Sequence, residues 1–493
     1  MLLNAELLLN YQRCERRAFL DVYGDPTLLD PLNDFHLKLQ QDRFQYQRTV
    51  LADKTYSKPE YPKRDWLAGA KATLELMQQG VETIYKGVLL LEVDTEYPQQ
   101  EDSKEFDSIT LLSCPDLLVK QPGQSIFGDW CYVPHQIELG RRPKQDYQII
   151  AAFHAFVLAA VQKTMPMNAW LILRERSPYQ VNLAKVIPKM QQVLDRCIEM
   201  LQYRQEPEVF ISRQRCNLCR WYSDCYQLAQ SQQHLSLIPG VSPLRYSYLR
   251  SLNLNTLESL AGANIDSLEP TIETDVAIQL VRQAQSVLKN QVIFNSSPSI
   301  NIDELPMPIE LYFDIEAEPD LNLDYLLGVL VVNRSAKTET FYPFFAEEPQ
   351  QEGLIWQQFI ELVEQYPEAP IYHFCEYEVE TVKRLAKCYN TPFERVDPIL
   401  ARFVDVHERI KQAVTLPIQS YALKHIARWL GFEWQNPKAN GQLCIYWYDQ
   451  WLLKRDRAYL DDILRYNEDD CRATLVVKDW LVNLIQDWLK NTA

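Results

Sequence analysis

The spacing of apolar and polar positions divides the chain into stretches of different texture. Residues 1–30 open with Leu-rich helical text, and residues 66–90 carry a second helical pattern. Short apolar runs at Glu92-Val-Asp94, Ile109-Thr-Leu-Leu112 and Trp130-Cys-Tyr-Val133 predict strands. Turn chemistry at Pro122-Gly123 separates the last two. Residues 147–161 have the spacing of a buried helix, Trp170-Leu-Ile-Leu173 that of a short strand, and 188–204 that of an amphipathic helix. Two short helices around tight turns follow, at 235–241 and 254–262, in a pattern that resembles a helix-hairpin-helix. Backbone amides of such motifs contact nucleic-acid phosphates; the same text also serves as a packed linker.

Beyond a Ser/Pro-rich stretch the pattern changes again. Apolar strands are predicted at 308–314, 325–332 and 370–373, and helices at 354–366, 377–389, 419–430 and 457–492. Strands followed by interleaved helices imply a mixed sheet flanked by helices. The expected organisation is four segments: 1–230, a helical 231–290, a linker at 291–305, and 306–493.

Composition narrows the picture. A chain of 493 residues needs more than one core, and a hydrophobic fraction of 47% is globular. No run approaches the roughly 18 apolar residues of a membrane span, and Met1-Leu-Leu-Asn-Ala-Glu6 is not a basic region leading into an apolar one. A cytoplasmic location is expected, without a membrane partner. The net charge of −16 argues against tight binding of long duplexes, since phosphate contacts need Lys and Arg. Residues 306–493 hold 30 acids and 19 bases, a difference of −11, which is tolerable where some acids bind cations.

Asp314-Ile-Glu316 ends an apolar strand, and residues two apart on a strand face the same side. Two carboxylates buried together repel. Hard cations relieve this, and a pair of them serves phosphodiester hydrolysis. Glu378 follows the next apolar strand in His373-Phe-Cys-Glu-Tyr-Glu378. Tyr466-Asn-Glu-Asp-Asp470 lies on the last long helix, where residues four apart share a face. The bland alternatives are a solvated strand end, a surface Glu378 and a core Tyr466.

This order resembles the DnaQ-like exonucleases, and more closely the YprB-type RNase H-like domain, over about 305–490. Phe403-Val-Asp405, Ser420-Tyr-Ala-Leu-Lys424, Leu430-Gly431 and Ile445-Tyr-Trp-Tyr448-Asp-Gln-Trp451 extend it. The resemblance implies a two-metal 3′→5′ exonuclease on single-stranded or frayed nucleic acid, DNA before RNA, in a repair or processing setting. Asp314, Glu316, Glu378 and Asp470 would hold two Mg²⁺ or Mn²⁺ ions, and Tyr466 would position the water. His373 and Asp405 would support the ligands, and Asp469 competes with Asp470 if the register differs by one. Glu378 stands where DnaQ proteins have Asp. The competing class is a nucleic-acid-binding scaffold without turnover.

Cys216, Cys219 and Cys225 can place three thiolates around one centre, with Cys14 the best fourth. Four thiolates suit a [4Fe–4S] cluster or a zinc ion. One cysteine near the start and three near the end of about 1–230 resembles the iron–sulfur-stapled RecB-type nucleases of PD-(D/E)XK fold. That resemblance prefers iron–sulfur, with zinc as the alternative. It also implies an acid at Asp116 and an acid-x-Lys pair on the next strand, but Gln136 and Glu138 stand there. Tyr46 or Gln47 takes an expected His position, while Tyr147-Gln148 matches a later Gln motif. The N-terminal half therefore reads as a degenerate nuclease used for binding, with Arg141, Arg142 and Lys144 as phosphate contacts. A neighbouring basic residue replacing the lost Lys is the other reading. The whole chain resembles RecB-like nucleases that fuse such a domain to a YprB-like one. No Gly-x-x-x-x-Gly-Lys-Ser/Thr loop is present, so any unwinding needs a separate helicase.

Overall fold

A computed structural model describes residues 1–94, 108–268, 271–295 and 307–492. The chain forms two compact units, Met1–Leu228 and Ala229–Ala493. Among the described residues, no helix is long and apolar enough to cross a membrane.

Among its described residues the first unit contains two sheets. Strands β1 (Leu2–Asn4), β3 (Leu89–Asp94) and β4 (Ser108–Ser113) form one, in the order β1-β4-β3. Strands β2 (Thr83–Tyr85), β5 (Leu117–Ser125), β6 (Gly128–Glu138), β7 (Ala169–Leu173) and β8 (Tyr179–Val181) form the other, in the order β2-β5-β6-β7-β8. β5 and β6 are antiparallel, whereas β6 and β7 are parallel and need a crossover. Helix Gln145–Gln162 supplies it, and its buried Ile149, Ile150, Phe153, Val157 and Leu158 explain the apolar density there. Two expectations are corrected. The helical text at 66–90 stops at Gln78, because 83–85 pair with β5 as a strand. Pro122-Gly123 is no turn between strands: it lies within β5, beside a bulge that opens before Ser125.

The second unit is built on a five-stranded mixed sheet. β10 (Ile309–Glu318), β11 (Leu323–Asn333) and β12 (Thr338–Phe345) form an antiparallel meander. β13 (Ile371–His373) and β14 (Phe403–Asp405) add parallel to β10, giving the order β12-β11-β10-β13-β14. Alternation along β10 divides the core. Leu311, Phe313 and Ile315 pack with Trp356, Phe359 and Ile360 of helix Glu352–Glu364. Tyr312 faces the other side with Tyr372, Cys471 and Leu475. The 36-residue helix Arg457–Thr492 covers that side, and Asp314 and Glu316 share its face through the two-residue period of the strand. Farther along, Lys478 meets the fully buried Glu310 at 2.6 Å, and Arg334 bridges Glu310 and Asp479.

The expected helical middle segment packs within this unit. Gln283 of helix Thr274–Lys289 donates to the carbonyls of Leu416 and Ile418 and accepts from Tyr421. Its first turn, at Leu235–Leu237, is 3₁₀, and helix Pro243–Ser251 starts only after Gly240, whose φ of +91° reverses the chain. The expected linker at 291–305 begins with strand β9 (Ile293–Phe294), paired to β15 (Val414–Thr415); its residues 296–305 lie outside the described residues.

Candidate active site

Carboxylate oxygens of Asp314, Glu316 and Asp470 lie within 4.8 Å of one another. Among the described residues this is the one such group of His, Cys, Asp and Glu that could hold a metal ion. Two come from the end of β10 and the third from the long helix across the sheet. Glu316 is buried, while Asp314 and Asp470 are partly open. Burial chiefly raises the Asp314 carboxyl well above its usual range, and repulsion from Asp470, Glu316 and Glu378 adds to it. Glu316 is raised by burial and by Asp470. Burial also pushes Asp470 up to about 7, against hydrogen bonds from Trp434 and Tyr466 and the nearby Lys424 charge. Such a constellation holds protons or cations in preference to three bare charges.

Its supports are specific. Asn467 Nδ2 donates to Asp314 Oδ2 at 2.7 Å. Asp314 pairs with Gly328 across β10–β11, and the bare glycine leaves room for the Asn467 side chain. Trp434 Nε1 donates to Asp470 Oδ1 at 2.6 Å. Tyr466, whose phenol is raised by burial and the surrounding acids, stays protonated and donates to Asp470. Lys424 Nζ lies over both the Trp434 and Tyr466 rings, at 5.3 and 5.6 Å. Cys444, fully buried, hydrogen-bonds Glu316. Motif spacing marks none of Asn467, Gly328, Trp434 or Cys444, because each meets its carboxylate only through tertiary contact.

Glu378 lies outside the 4.8 Å trio, in the first turn of helix Tyr377–Cys388, where the helix dipole favours a carboxylate. Its Oε2 is buried without a hydrogen-bond partner. His373 Nδ1 stands 3.5 Å away, but its proton goes to the Cys375 carbonyl at 2.6 Å. Tyr377 OH donates to Asp324 at 2.8 Å, and Arg384 joins Asp324 to Glu352. Asp324 pairs with Ala317, next to Glu316, so this network ties the start of the helix to the end of β10.

The remaining candidates occupy supporting places. Asp405 accepts from the backbone N–H groups of Cys375, His407 and Glu408, capping one helix and holding the 373–376 loop. Asp469 accepts twice from Gln435, through its backbone and its side-chain amide, and so is committed elsewhere.

In the first unit Asp116 is fully buried; it accepts from Gln47 Nε2 at 2.9 Å, from Ile137 N at 2.7 Å and from Lys86 Nζ. Gln136 Nε2 donates to Glu138 Oε1 at 3.3 Å. Burial, foremost, raises the Glu138 carboxyl. Gln148 braces the Pro143 carbonyl at 2.8 Å rather than joining Asp116. Arg141 pairs with Glu175 at 3.1 Å, Arg142 is exposed, and Lys144 lies over the Tyr147 ring.

Cys14, between helices Ala5–Arg13 and Glu15–Tyr23, lies near enough to Cys216, Cys219 and Cys225 for its charge to raise each of their thiols, although burial is the main cause. Trp221 Nε1 to Asp21 Oδ1 (2.8 Å) and Arg16 to the Pro207 carbonyl (2.8 Å) join the same two stretches.

No curated protein matches the chain. Residues 311–482 match the family model of the RNase H superfamily, and that span holds all four acids and the whole five-stranded sheet but its first two residues. The C-terminal part of this chain is an RNase H-like domain.

Proposed function

We propose that the chain is a metal-dependent nuclease whose C-terminal domain removes nucleotides from the 3′ end of single-stranded or frayed nucleic acid, DNA before RNA. The meeting of the Asp314, Glu316 and Asp470 carboxylates within 4.8 Å carries this reading. Glu378, with its unpartnered buried oxygen, is the fourth ligand. These acids would hold Mg²⁺ or Mn²⁺, which supplies charge neutralisation and a hydroxide near neutral pH. Tyr466, kept protonated and anchored on Asp470, orients the attacking water. Lys424, over the Tyr466 ring, restrains that phenol.

A 3′-labelled oligonucleotide incubated with Mn²⁺ tests the proposal. Wild type shortens it, Asp314→Ala leaves it intact, and Asp116→Ala shortens it at the wild-type rate. Equal survival of the substrate with wild type and Asp314→Ala leaves a binding scaffold instead. Loss of activity in Asp116→Ala alone moves the chemistry to the first unit.

For that unit we propose a degenerate nuclease fold that binds nucleic acid through Arg141, Arg142 and Lys144. Cys14, Cys216, Cys219 and Cys225 would hold one inorganic centre. The resemblance to iron–sulfur-stapled nucleases favours a [4Fe–4S] cluster, with zinc as the alternative that four thiolates also suit. A brown anaerobic preparation absorbing near 400 nm is the expected result; a colourless one containing zinc overturns it.

A further inference from the structure

The residues around Asp116, read from the sequence as a degenerate nuclease site, lack the charge to hold a metal. Asp116 has no exposed surface, and its oxygens are already engaged. Oδ1 accepts from both Gln47 Nε2 and Lys86 Nζ, and Oδ2 accepts from the Ile137 amide. Glu138, on the same strand as Gln136, accepts from it and has the Arg43 guanidinium 4.0 Å away. Two carboxylates thus face two cations, and their charges cancel. Gln136 Oε1, buried and unpartnered, is the open acceptor, and it is neutral. A hard dication gathers about six oxygens and depends on carboxylate charge. Here it would meet one amide oxygen and two resident cations. The residues do not fit a catalytic metal.

The Lys86 position is built into the backbone. Lys86 follows β2 with φ +53°, a left-handed conformation uncommon for a residue with a β-carbon. Its N–H donates to the Asp116 carbonyl at 3.0 Å, and the preceding Tyr85 pairs with Leu117. Backbone and side chain of Lys86 therefore both close on Asp116.

We propose that Lys86 is a resident counter-ion standing in the cation's place, so that the Asp116 site holds no divalent metal and the first unit performs no hydrolysis of its own. This rests on the first unit alone and stands whether or not the C-terminal site is catalytic.

Mn²⁺ titration of the full chain, followed by electron paramagnetic resonance, tests it in an Asp314→Asn, Asp470→Asn background that silences the C-terminal acids. With Lys86 intact, no bound Mn²⁺ that depends on Asp116 is expected. Adding Lys86→Met creates one Mn²⁺ site per chain, and Asp116→Asn then abolishes it. Bound Mn²⁺ that is lost on Asp116→Asn while Lys86 is present overturns the proposal. So does a folded Lys86→Met chain, with its melting transition retained, that gains no ion. If Lys86→Met does not fold, Lys86→Gln replaces it, and the Lys86-intact comparison still decides.

Discussion

A β-carbon on Gly328 would stand 1.6 Å from the side-chain oxygen of Asn467. Gly328 is the cross-strand partner of Asp314, and Asn467 is the residue that grips Asp314 through its amide nitrogen. The missing side chain on one strand therefore sets the orientation of a carboxylate on the next.

Gly328→Ala should displace Asn467 and release Asp314. Overpacking of this kind costs about 1–3 kcal/mol, visible as a lower melting temperature. Loss of the group that orients a metal ligand costs roughly 10–100-fold in turnover. Both effects run through Asn467, so adding Gly328→Ala to Asn467→Ala should cost little more. Unchanged turnover in Gly328→Ala would sink this account of the glycine.

Asp314→Asn should make the metal-free protein more heat-stable, since one of three clustered acids is removed. The same change should abolish stabilisation by Mn²⁺. That stabilisation is about 2.7 kcal/mol when the free ion is at a hundred times its dissociation constant. Melting curves of both proteins, in chelator and in Mn²⁺, read the two effects separately. A wild-type chain that Mn²⁺ leaves unshifted contradicts the metal assignment.

The folded Asp470 carboxyl is pushed up to about 7, against 3.8 as its ordinary value. Between these values the folded chain binds the extra proton, so stability of the metal-free protein falls as pH rises from about 4 to 7. Metal binding needs the proton removed, so activity should rise over the upper part of the same window. Lys424→Met removes a cation that lowers this carboxyl and should move the acid limb of the rate profile to higher pH. An acid limb at the same pH in both proteins excludes Asp470 as the group being titrated.

Tyr377→Phe breaks the bond to Asp324 that holds the start of the Glu378 helix. A lost hydrogen bond of this type costs about 1 kcal/mol in stability. If the bond also fixes Glu378 against the other acids, half-maximal activity should need more Mn²⁺ while saturating Mn²⁺ restores most of the rate. A stability loss with an unaltered Mn²⁺ requirement assigns the bond to the fold alone.

Local sequence pattern reaches Asp314 and Glu316, because a strand's period of two puts them on one side. It reaches Tyr466 and Asp470 for the matching reason on a helix. It does not separate Asp469 from Asp470, since only the tertiary bonds to Gln435 and Trp434 distinguish them. Asn467 and Asp314 meet across 153 positions, and Lys86 and Asp116 across 30, with no periodicity linking either pair. β12 escapes the hydrophobic pattern because it is an edge strand whose first residues, Thr338-Glu-Thr340, are exposed. Thr83–Tyr85 reads as the tail of a helix because three residues are too few to show a strand's alternation.

The ion pair of Lys478 with Glu310 has a consequence for how the long helix can move. Together with the Asn467–Asp314 bond it keys the shaft to the strand at two points, eleven residues apart on the helix and four on the strand. A slip of one residue would turn the shaft by about 100° and advance it about 1.5 Å, unseating both keys at once. Adjustment at the catalytic end by sliding is thereby blocked from the far end, and truncation ahead of residue 478 should loosen acids that it never touches.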